Sequence, residues 1–459
     1  MVVKCADFKP DEFFKNVPLL KNRKGNPGKS QEKIRHYMGI TTAFDIETSY
    51  LPDIQESIMY IWQWQFGEEV TVIGRTWEEF SDLLHRIKEA LPADRWLVCY
   101  IHNASFEIQF LKAVYCFMPS EVFAIDSRKV LKFDMHNCFE FRCSYMLTNL
   151  SLDYFTRQYN VKHQKLSGEE FNYNKIRYPW TPLTKKRELQ YCINDVQGLV
   201  EALNAQMARD GDTLQTIPLT ATGYVRRDAK LAMRNSGNHH ATIAHMLPDL
   251  DLYEALREAF RGGNCHASRF YSLDTVYDVH SADRSSSYPA VIVNNLYPMS
   301  PFTRIAESNL NIDYVARCIS IRNKAVLLRV RLENVYLKDP YWPIPYLTID
   351  KCRELKKTIL CKEPRGKKKE KIFYHEDNGR ILKAASLETT ITDVDLWILQ
   401  KEYHFDITIL DGWYSSYKPL PQSLTDLVIK YYRDKTELKG VEGKQVYYDK
   451  AKALLNSLY

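Results

Sequence analysis

The chain has 459 residues, too many for one ordinary hydrophobic core, and at ~150 residues per domain the length corresponds to about three. Hydrophobic content of 45% and aromatic content of 13%, with no low-complexity tract, exclude a disordered polypeptide and supply ample core material. The net charge of +6, from 63 basic and 57 acidic residues, permits nucleic-acid binding without requiring it.

The N-terminal MVVKCADFKPDEFFK mixes acids with bases and lacks a secretory pattern. No uncharged apolar run approaches the ~18 residues of a membrane helix, so a cytoplasmic protein is expected. The ten cysteines form no Cys-x-x-Cys pair, and neither Cys138/Cys143 nor Cys352/Cys361 has further ligands at zinc-site spacing. Reduced thiols are expected.

Residues 1–40 read as an N-terminal extension whose polar stretch NRKGNPGKSQEK, Asn22 to Lys33, is a flexible arm, and folding is expected to begin near Thr41. ITTAFDIETSY, IMYIWQWQF and EVTVIGRT then read as strands, WEEFSDLLHRIKEAL as an amphipathic helix and WLVCYIH as an apolar strand. This alternation predicts an α/β domain over 41–205, closed by the helix RELQYCINDVQGLVEALNAQMARDG with its terminal glycine. A helical connector follows over 206–259. A second, strand-rich unit is expected over 260–459, opening near Arg261. The basic run RGKKKEK, Arg365 to Lys371, fits a solvated hairpin tip or a contact for nucleic acid or an acidic partner.

Asp45 and Glu47 in FDIET are two residues apart on a strand and project from one face. Alone, that pair also fits a solvent-facing strand end. Glu107 follows Phe106 at the start of a helix in IHNASFEIQFL, and Asp195 shares a helix face with Tyr191 one turn earlier. Hard oxygen ligands select Mg²⁺ or Mn²⁺ over zinc, and two such ions ~3.5–4 Å apart are what phosphodiester hydrolysis uses.

This ordered set resembles the Asp-x-Glu, Asn-x-x-Phe-acid and Tyr-x-x-x-Asp motifs of the proofreading domain of family B DNA polymerases, in particular the protein-primed phage type. The resemblance implies a ribonuclease-H-like 3′→5′ exonuclease with Asp45, Glu47, Glu107 and Asp195 holding two metal ions and Tyr191 orienting the nucleophilic water. One departure is Glu107, because the family's second motif usually ends in Asp. NLSLDYF matches the motif with which such domains grip single-stranded DNA. The carry-over assigns DNA contacts to Thr48, His102, Asn103, Phe106, Ser151, Leu152 and Phe155, and places Lys165, or a neighbour such as Lys162, at the scissile phosphate. Each phenylalanine fits core packing as well as base stacking.

Asp283 in HSADRSSSYP stands where an apolar strand is expected to give way to a serine-rich turn. The string matches the family's Asp-x-x-Ser-x-Tyr-Pro motif, which implies a metal-binding Asp283 and a Tyr288 packed under the incoming sugar. Phe260-Arg261-Gly262-Gly263 resembles the Tyr-x-Gly-Gly motif, which implies template contacts from Arg261, Gly262 and Gly263. KALLNSLY matches Lys-x-x-x-Asn-Ser-x-Tyr and assigns Lys452, Asn456 and Tyr459 to the deoxynucleoside triphosphate. The resemblance therefore implies a partial right-hand polymerase domain of palm, insertion and start of fingers, working on primer-template DNA. The family's Tyr-x-Asp-Thr-Asp motif does not occur in the 459 residues, so this chain is expected to be an incomplete polymerase that does not extend primers alone. A stand-alone exonuclease with a vestigial polymerase half and a DNA-binding or priming adaptor are the other readings. Asp393-Val394-Asp395 reads better as a helix N-terminus than as the missing motif. The segment TDVDLWILQKEYHFDITILDGWY resembles the insertion that engages the terminal protein. A phage origin would place the chain in the host cytoplasm.

Overall fold

The β-branched and aromatic runs between Val2 and Cys143 pair into a nine-stranded mixed sheet: β1 (Val2–Lys4), β2 (His36–Tyr37), β3 (Thr42–Leu51), β4 (Glu56–Phe66), β5 (Val70–Gly74), β6 (Arg95–Ile101), β7 (Val122–Ala124), β8 (Val130–Met135) and β9 (Phe139–Cys143). The computed structural model describes residues 1–20, 35–166, 172, 174–237, 239–355, 358–362, 368–372 and 374–458. The arm expected over Asn22 to Lys33 lies outside the described residues. The sheet order is β1-β5-β4-β3-β6-β9-β8-β7, with β2 on β6. β3, β4 and β5 run antiparallel, and β6 and β9 continue parallel to β3.

Each face of the sheet is covered by helix. Alternation on β3 sends Phe44 and Ile46 to one side, where Trp62, Trp64 and Phe141 meet Phe80, Leu83 and Ile87 of α2 (Trp77–Ala90). Thr76 starts α2 through a capping box with Glu79. The other side takes Val196, Leu199, Val200 and Leu203 of α6 (Gln190–Asp210) against Ala43, Val98 and Tyr100. Gly211, left-handed at φ 67°, ends α6 where the sequence expects a stop. Shorter helices complete the unit: α1 (Pro10–Phe14), α3 (Ala104–Leu111), α4 (Ser144–Thr148) and α5 (Leu152–Gln158).

Two corrections concern boundaries. Folding begins at Val2, not near Thr41: β1 pairs with β5, and Cys5, Phe8 and Phe14 enter the main core. Such pairing joins residues about seventy positions apart, which local periodicity does not report. Contacts divide the chain into Met1–Arg227 with Arg433–Tyr459, and Asp228–Tyr432, so the chain's last helix belongs to the first unit. That helix is α14 (Gln445–Asn456), where Asp449 accepts from Tyr154 at 2.7 Å and Lys450 pairs with Asp210 at 2.5 Å.

Residues 206–259 hold the end of α6 and then α7 (Ala221–Asn235), α8 (His239–Ala244) and α9 (Leu250–Ala259). The second unit is built on long antiparallel strands, β12 (Lys324–Leu337), β17 (Arg380–Thr392) and β18 (Tyr403–Pro419). Shorter strands extend this sheet: β10 (Leu296–Pro298), β11 (Thr303–Arg304), β13 (Cys352–Arg353) and β16 (Tyr374–Asp377). Leu328, Val330, Leu332, Leu387 and Ile391 fill its core beneath α11 (Ile312–Ser320) and α12 (Asp393–Glu402). β14 (Thr358–Lys362) and β15 (Lys368–Ile372) form the expected hairpin, with the tip of the basic run outside the described residues. α10 (Ser287–Asn294) and α13 (Gln422–Leu438) complete the list. The apolar strand expected before Asp283 is not formed. Residues 260–286 are irregular, because a β-prone run becomes a strand only where another edge receives its hydrogen bonds.

Phe8 stacks on Phe66 with ring centroids 5.0 Å apart. Phe8→Ala is expected to cost the first unit about 3–5 kcal/mol in urea denaturation. A change within experimental error would return residues 1–20 to the status of an appendage.

Candidate active site: a buried carboxylate cluster

Asp45 and Glu47 lie on the α6 side of β3, where a β-bulge between Glu47 and Thr48 re-aims the end of the strand. Asp195, one turn after Tyr191 on α6, meets them. Ligand oxygens of Asp45, Glu47 and Asp195 all lie within 4.8 Å of one another. Glu107 stands outside this mutual set, in the first turn of α3, with its carboxyl hydrogen-bonded to Asp45. Asn103, left-handed at φ 78°, turns the chain from β6 into α3 and so fixes that approach.

These acids have few partners for their charge. Gln63, directly across from Asp45 in the β3–β4 register, donates Nε2–H to Asp45 Oδ2 at 2.8 Å. Lys165 Nζ reaches Asp195 Oδ2 at 2.7 Å and lies 5.6 Å from the Tyr191 ring centroid. Glu107 Oε2 and Asp195 Oδ1 are buried without any hydrogen-bond partner. Burial, then the negative charge of Asp195, pushes Asp45 up to about 7. Burial first and Asp45 second hold Glu47 and Glu107 well above the usual carboxylate range, and burial raises Asp195 against the pull of Lys165. Acids that resist ionising and buried oxygens that lack donors fit a divalent cation. Asp45, Glu47, Asp195 and Glu107 are the residues that could hold it, all through hard oxygen.

The other expected contact residues fall around this cluster in different ways. Phe106 is 42% exposed one position before Glu107, whereas Phe155 is buried in the core between α5 and α6. Leu152 is buried too, and Ser151 caps α5 by accepting from the Tyr154 N–H. His102 Nδ1 meets Ser144 Oγ at 3.0 Å, and burial together with the Lys165 charge pushes this imidazole down to about 4, so it is neutral at pH 7. Lys165, not Lys162, is the lysine beside the acids, and Lys162 is exposed.

In the second unit Asp283 is exposed on the irregular segment that leads into α10. Tyr288 follows on α10, with its hydroxyl 3.2 Å from where a Cβ on Gly263 would sit. Gly262 has open space around it, whereas Arg261 packs its guanidinium over Tyr346 and lies 3.4 Å from Asp395. Asp395 also closes the capping box of α12 with Thr392, and Asp393 accepts from the Val326 N–H, so this pair is a helix N-terminus. Lys452 and Asn456 share the exposed side of α14 in the first unit, and Tyr459 lies outside the described residues.

Sequence reasoning missed Gln63 and Arg177. Gln63 left a trace, since it and Gln65 interrupt an otherwise apolar strand at period two. Arg177 left none: it is buried at 2% exposure, paired with Glu188 at 2.8 Å, and its charge acts on Glu47.

The chain belongs to the family described as DNA polymerase type B, organellar and viral, whose model matches residues 169–459. Its fold is similar to that of Phi29 DNA polymerase in complex with primer-template DNA, with TM-score 0.60 and 15% identity over 91% of this chain and 67% of that chain. The same polymerase with single-stranded DNA gives TM-score 0.58 and 16% identity over 91% of this chain and 66% of that chain. This chain thus spans about two-thirds of the length of those polymerases. No curated protein sequence matches it.

Metal binding should be visible in stability. Asp45 has an unfolded-state pKa of ~3.9 and titrates near 7 when folded without metal. Between those values the folded chain keeps a proton the unfolded chain has lost, so stability falls as pH rises, and the full penalty is present above the folded value. A divalent cation replaces that proton. Mg²⁺ or Mn²⁺ should therefore raise Tm more at about pH 8 than at about pH 6, and Asp45→Asn should shrink the difference in thermal-shift measurements. Equal metal shifts at both pH values would contradict the assignment.

Proposed function

We propose that the carboxylate cluster is the 3′→5′ exonuclease centre of a protein-primed, type B DNA polymerase, in a ribonuclease-H-like module whose sheet and core begin at Val2. The observation that carries this reading is the convergence of Asp45, Glu47 and Asp195 within 4.8 Å, with Lys165 on Asp195 and orphaned oxygens on Asp195 and Glu107. Bound divalent cations would supply an activated water and neutralise the leaving oxygen. The protein's own part is to hold the carboxylates in place, to set Lys165 beside the scissile phosphate and to orient the water through Tyr191. The exposed ring of Phe106 suits stacking with a base of a single-stranded 3′ end, and Thr48, His102, Asn103 and Ser151 would supply polar contacts to the same strand. Leu152 and Phe155 act instead by anchoring α5 in the core.

The polymerase half of the reading draws on Asp283, Tyr288, Gly262 and Gly263 of the second unit and on Lys452 and Asn456 of the first. Asp283 would bind metal, Tyr288 would pack against the sugar of the incoming deoxynucleotide, and Gly262 and Gly263 would let template backbone approach closely. Arg261, held against Tyr346 and Asp395, would stiffen that turn. Lys452 and Asn456 present a cation and an amide suited to a triphosphate. The α12–β18 segment, with Trp397 60% exposed, would meet the priming protein.

The purified chain with Mn²⁺ should shorten a 5′-labelled single strand from its 3′ end. Asp45→Ala with Glu47→Ala should reduce that rate on the order of 10³-fold or more, while circular dichroism stays unchanged. The same preparation should not extend a primed template, because Asp395 is engaged in the α12 capping box and Asp393 accepts from the Val326 N–H and the Tyr417 hydroxyl, so this pair does not serve as the second carboxylate beside Asp283. Digestion that survives the double substitution, or measurable extension, would contradict the proposal.

A further inference from the structure

We infer that one face of α6, formed by Asn194, Gly198 and Glu201, is a clamp that seats Lys165 on Asp195; the inference rests on the exonuclease reading of that site. Lys165 belongs to no helix or strand, yet its ammonium is placed at 2.7 Å from a buried carboxylate oxygen. A lysine side chain has several free rotations, so the backbone beneath it must be fixed by something else. The three residues His163, Gln164 and Lys165 are each tied down.

Glu201 Oε2 accepts from the His163 N–H at 3.0 Å, and its Oε1 pairs with the His163 ring. Asn194 Nδ2–H donates to the Gln164 carbonyl at 3.0 Å. The Lys165 N–H reaches Thr156 Oγ1 of α5 at 3.4 Å. Between the Asn194 and Glu201 anchors stands Gly198, where an added Cβ would lie 2.1 Å from the His163 carbonyl oxygen and 3.0 Å from Thr156 Cγ2. Positions 194, 198 and 201 fall at i, i+4 and i+7, one stripe along the helix, adjacent to the stripe that carries Tyr191 and Asp195. Glycine inside a helix is disfavoured relative to alanine, so its presence in mid-α6 calls for a reason. Here the reason is the close approach of a backbone carbonyl, which has no flexible tip to move aside.

The clamp thereby couples two distances. A methyl group at position 198 must push the His163–Lys165 segment outward by about 1 Å to reach ordinary contact. Lys165 then leaves Asp195 and the phosphate position, although no residue of the carboxylate cluster has changed. Asn194, Gly198 and Glu201 are positioning residues that act through Lys165.

The test is a double-mutant cycle with a structural readout beside it. Gly198→Ala should lower kcat for 3′→5′ digestion of a single-stranded oligonucleotide by about 10²-fold with KM changed far less, as expected of a misplacement near 1 Å. In the Lys165→Ala background it should cost nothing further. Hydrogen exchange should rise at the amides of residues 163–165 and stay unchanged elsewhere along α6. Glu201→Ala, which leaves the helix backbone unstressed, should move both readouts in the same direction by a smaller factor. Losses that add fully in the double mutant, or unchanged exchange at residues 163–165 in Gly198→Ala, would overturn the clamp while leaving the exonuclease reading intact. A parent chain with no 3′→5′ digestion would defeat the exonuclease reading itself, and unchanged exchange in the same variants would then overturn the clamp as well.

Discussion

Mutual repulsion among carboxylates is the constraint on which the first unit depends. Two unit charges 4.8 Å apart at an effective dielectric of ~20 repel by roughly 3.5 kcal/mol, and the cluster sets three acids within that distance with a fourth against Asp45. Lys165 pairs directly with Asp195 and acts on Asp45 and Glu47 from farther away. Burial first, and the charge of Asp195 second, push Asp45 up to about 7, so the cluster resists ionising fully without a cation. A site that is unfavourable when empty and favourable when loaded is what a metal-dependent hydrolase needs, and the surrounding fold supplies the rigidity to bear the unfavourable state.

That rigidity has a visible origin. β3 is central in its sheet, flanked by β4 and β6, and its apolar face is locked by Phe44 against Trp62, Trp64 and Phe80. The opposite face receives α6, whose buried residues run from Tyr191 to Met207. Asp45, Glu47 and Asp195 therefore sit on two elements, β3 and α6, that cannot separate without opening a core, and Glu107 approaches from a third, α3. The bulge after Glu47 and the left-handed Asn103 are local departures from regular geometry placed next to the cluster, where directing side chains matters more than strand or helix continuity.

Much of this was legible because its signals are local. The period-two spacing of Asp45 and Glu47, the acid after Phe106 and the one-turn offset of Tyr191 and Asp195 each need only a few neighbouring residues to be read, and of these residues Asp45, Glu47 and Asp195 converge. Other parts depend on partners far along the chain. The packing of Phe8 on Phe66, the pairing of β1 with β5 and the burial of Arg177 beside Glu188 follow from tertiary placement that no window of sequence contains. The segment before Asp283 shows the converse, since TVYDVH has strand composition but forms no strand. Composition states what a segment can pair with; only the fold supplies the partner.

Membership in the organellar and viral type B polymerases rests on residues 169–459, and Asp45, Glu47 and Glu107 lie ahead of that span. The central claim therefore turns on whether the cluster takes two metal ions. Anomalous diffraction from crystals soaked in Mn²⁺ is the most direct measurement. Two peaks ~3.5–4 Å apart among Asp45, Glu47, Glu107 and Asp195 are expected. Soaked crystals with no peak at these four residues would contradict the account.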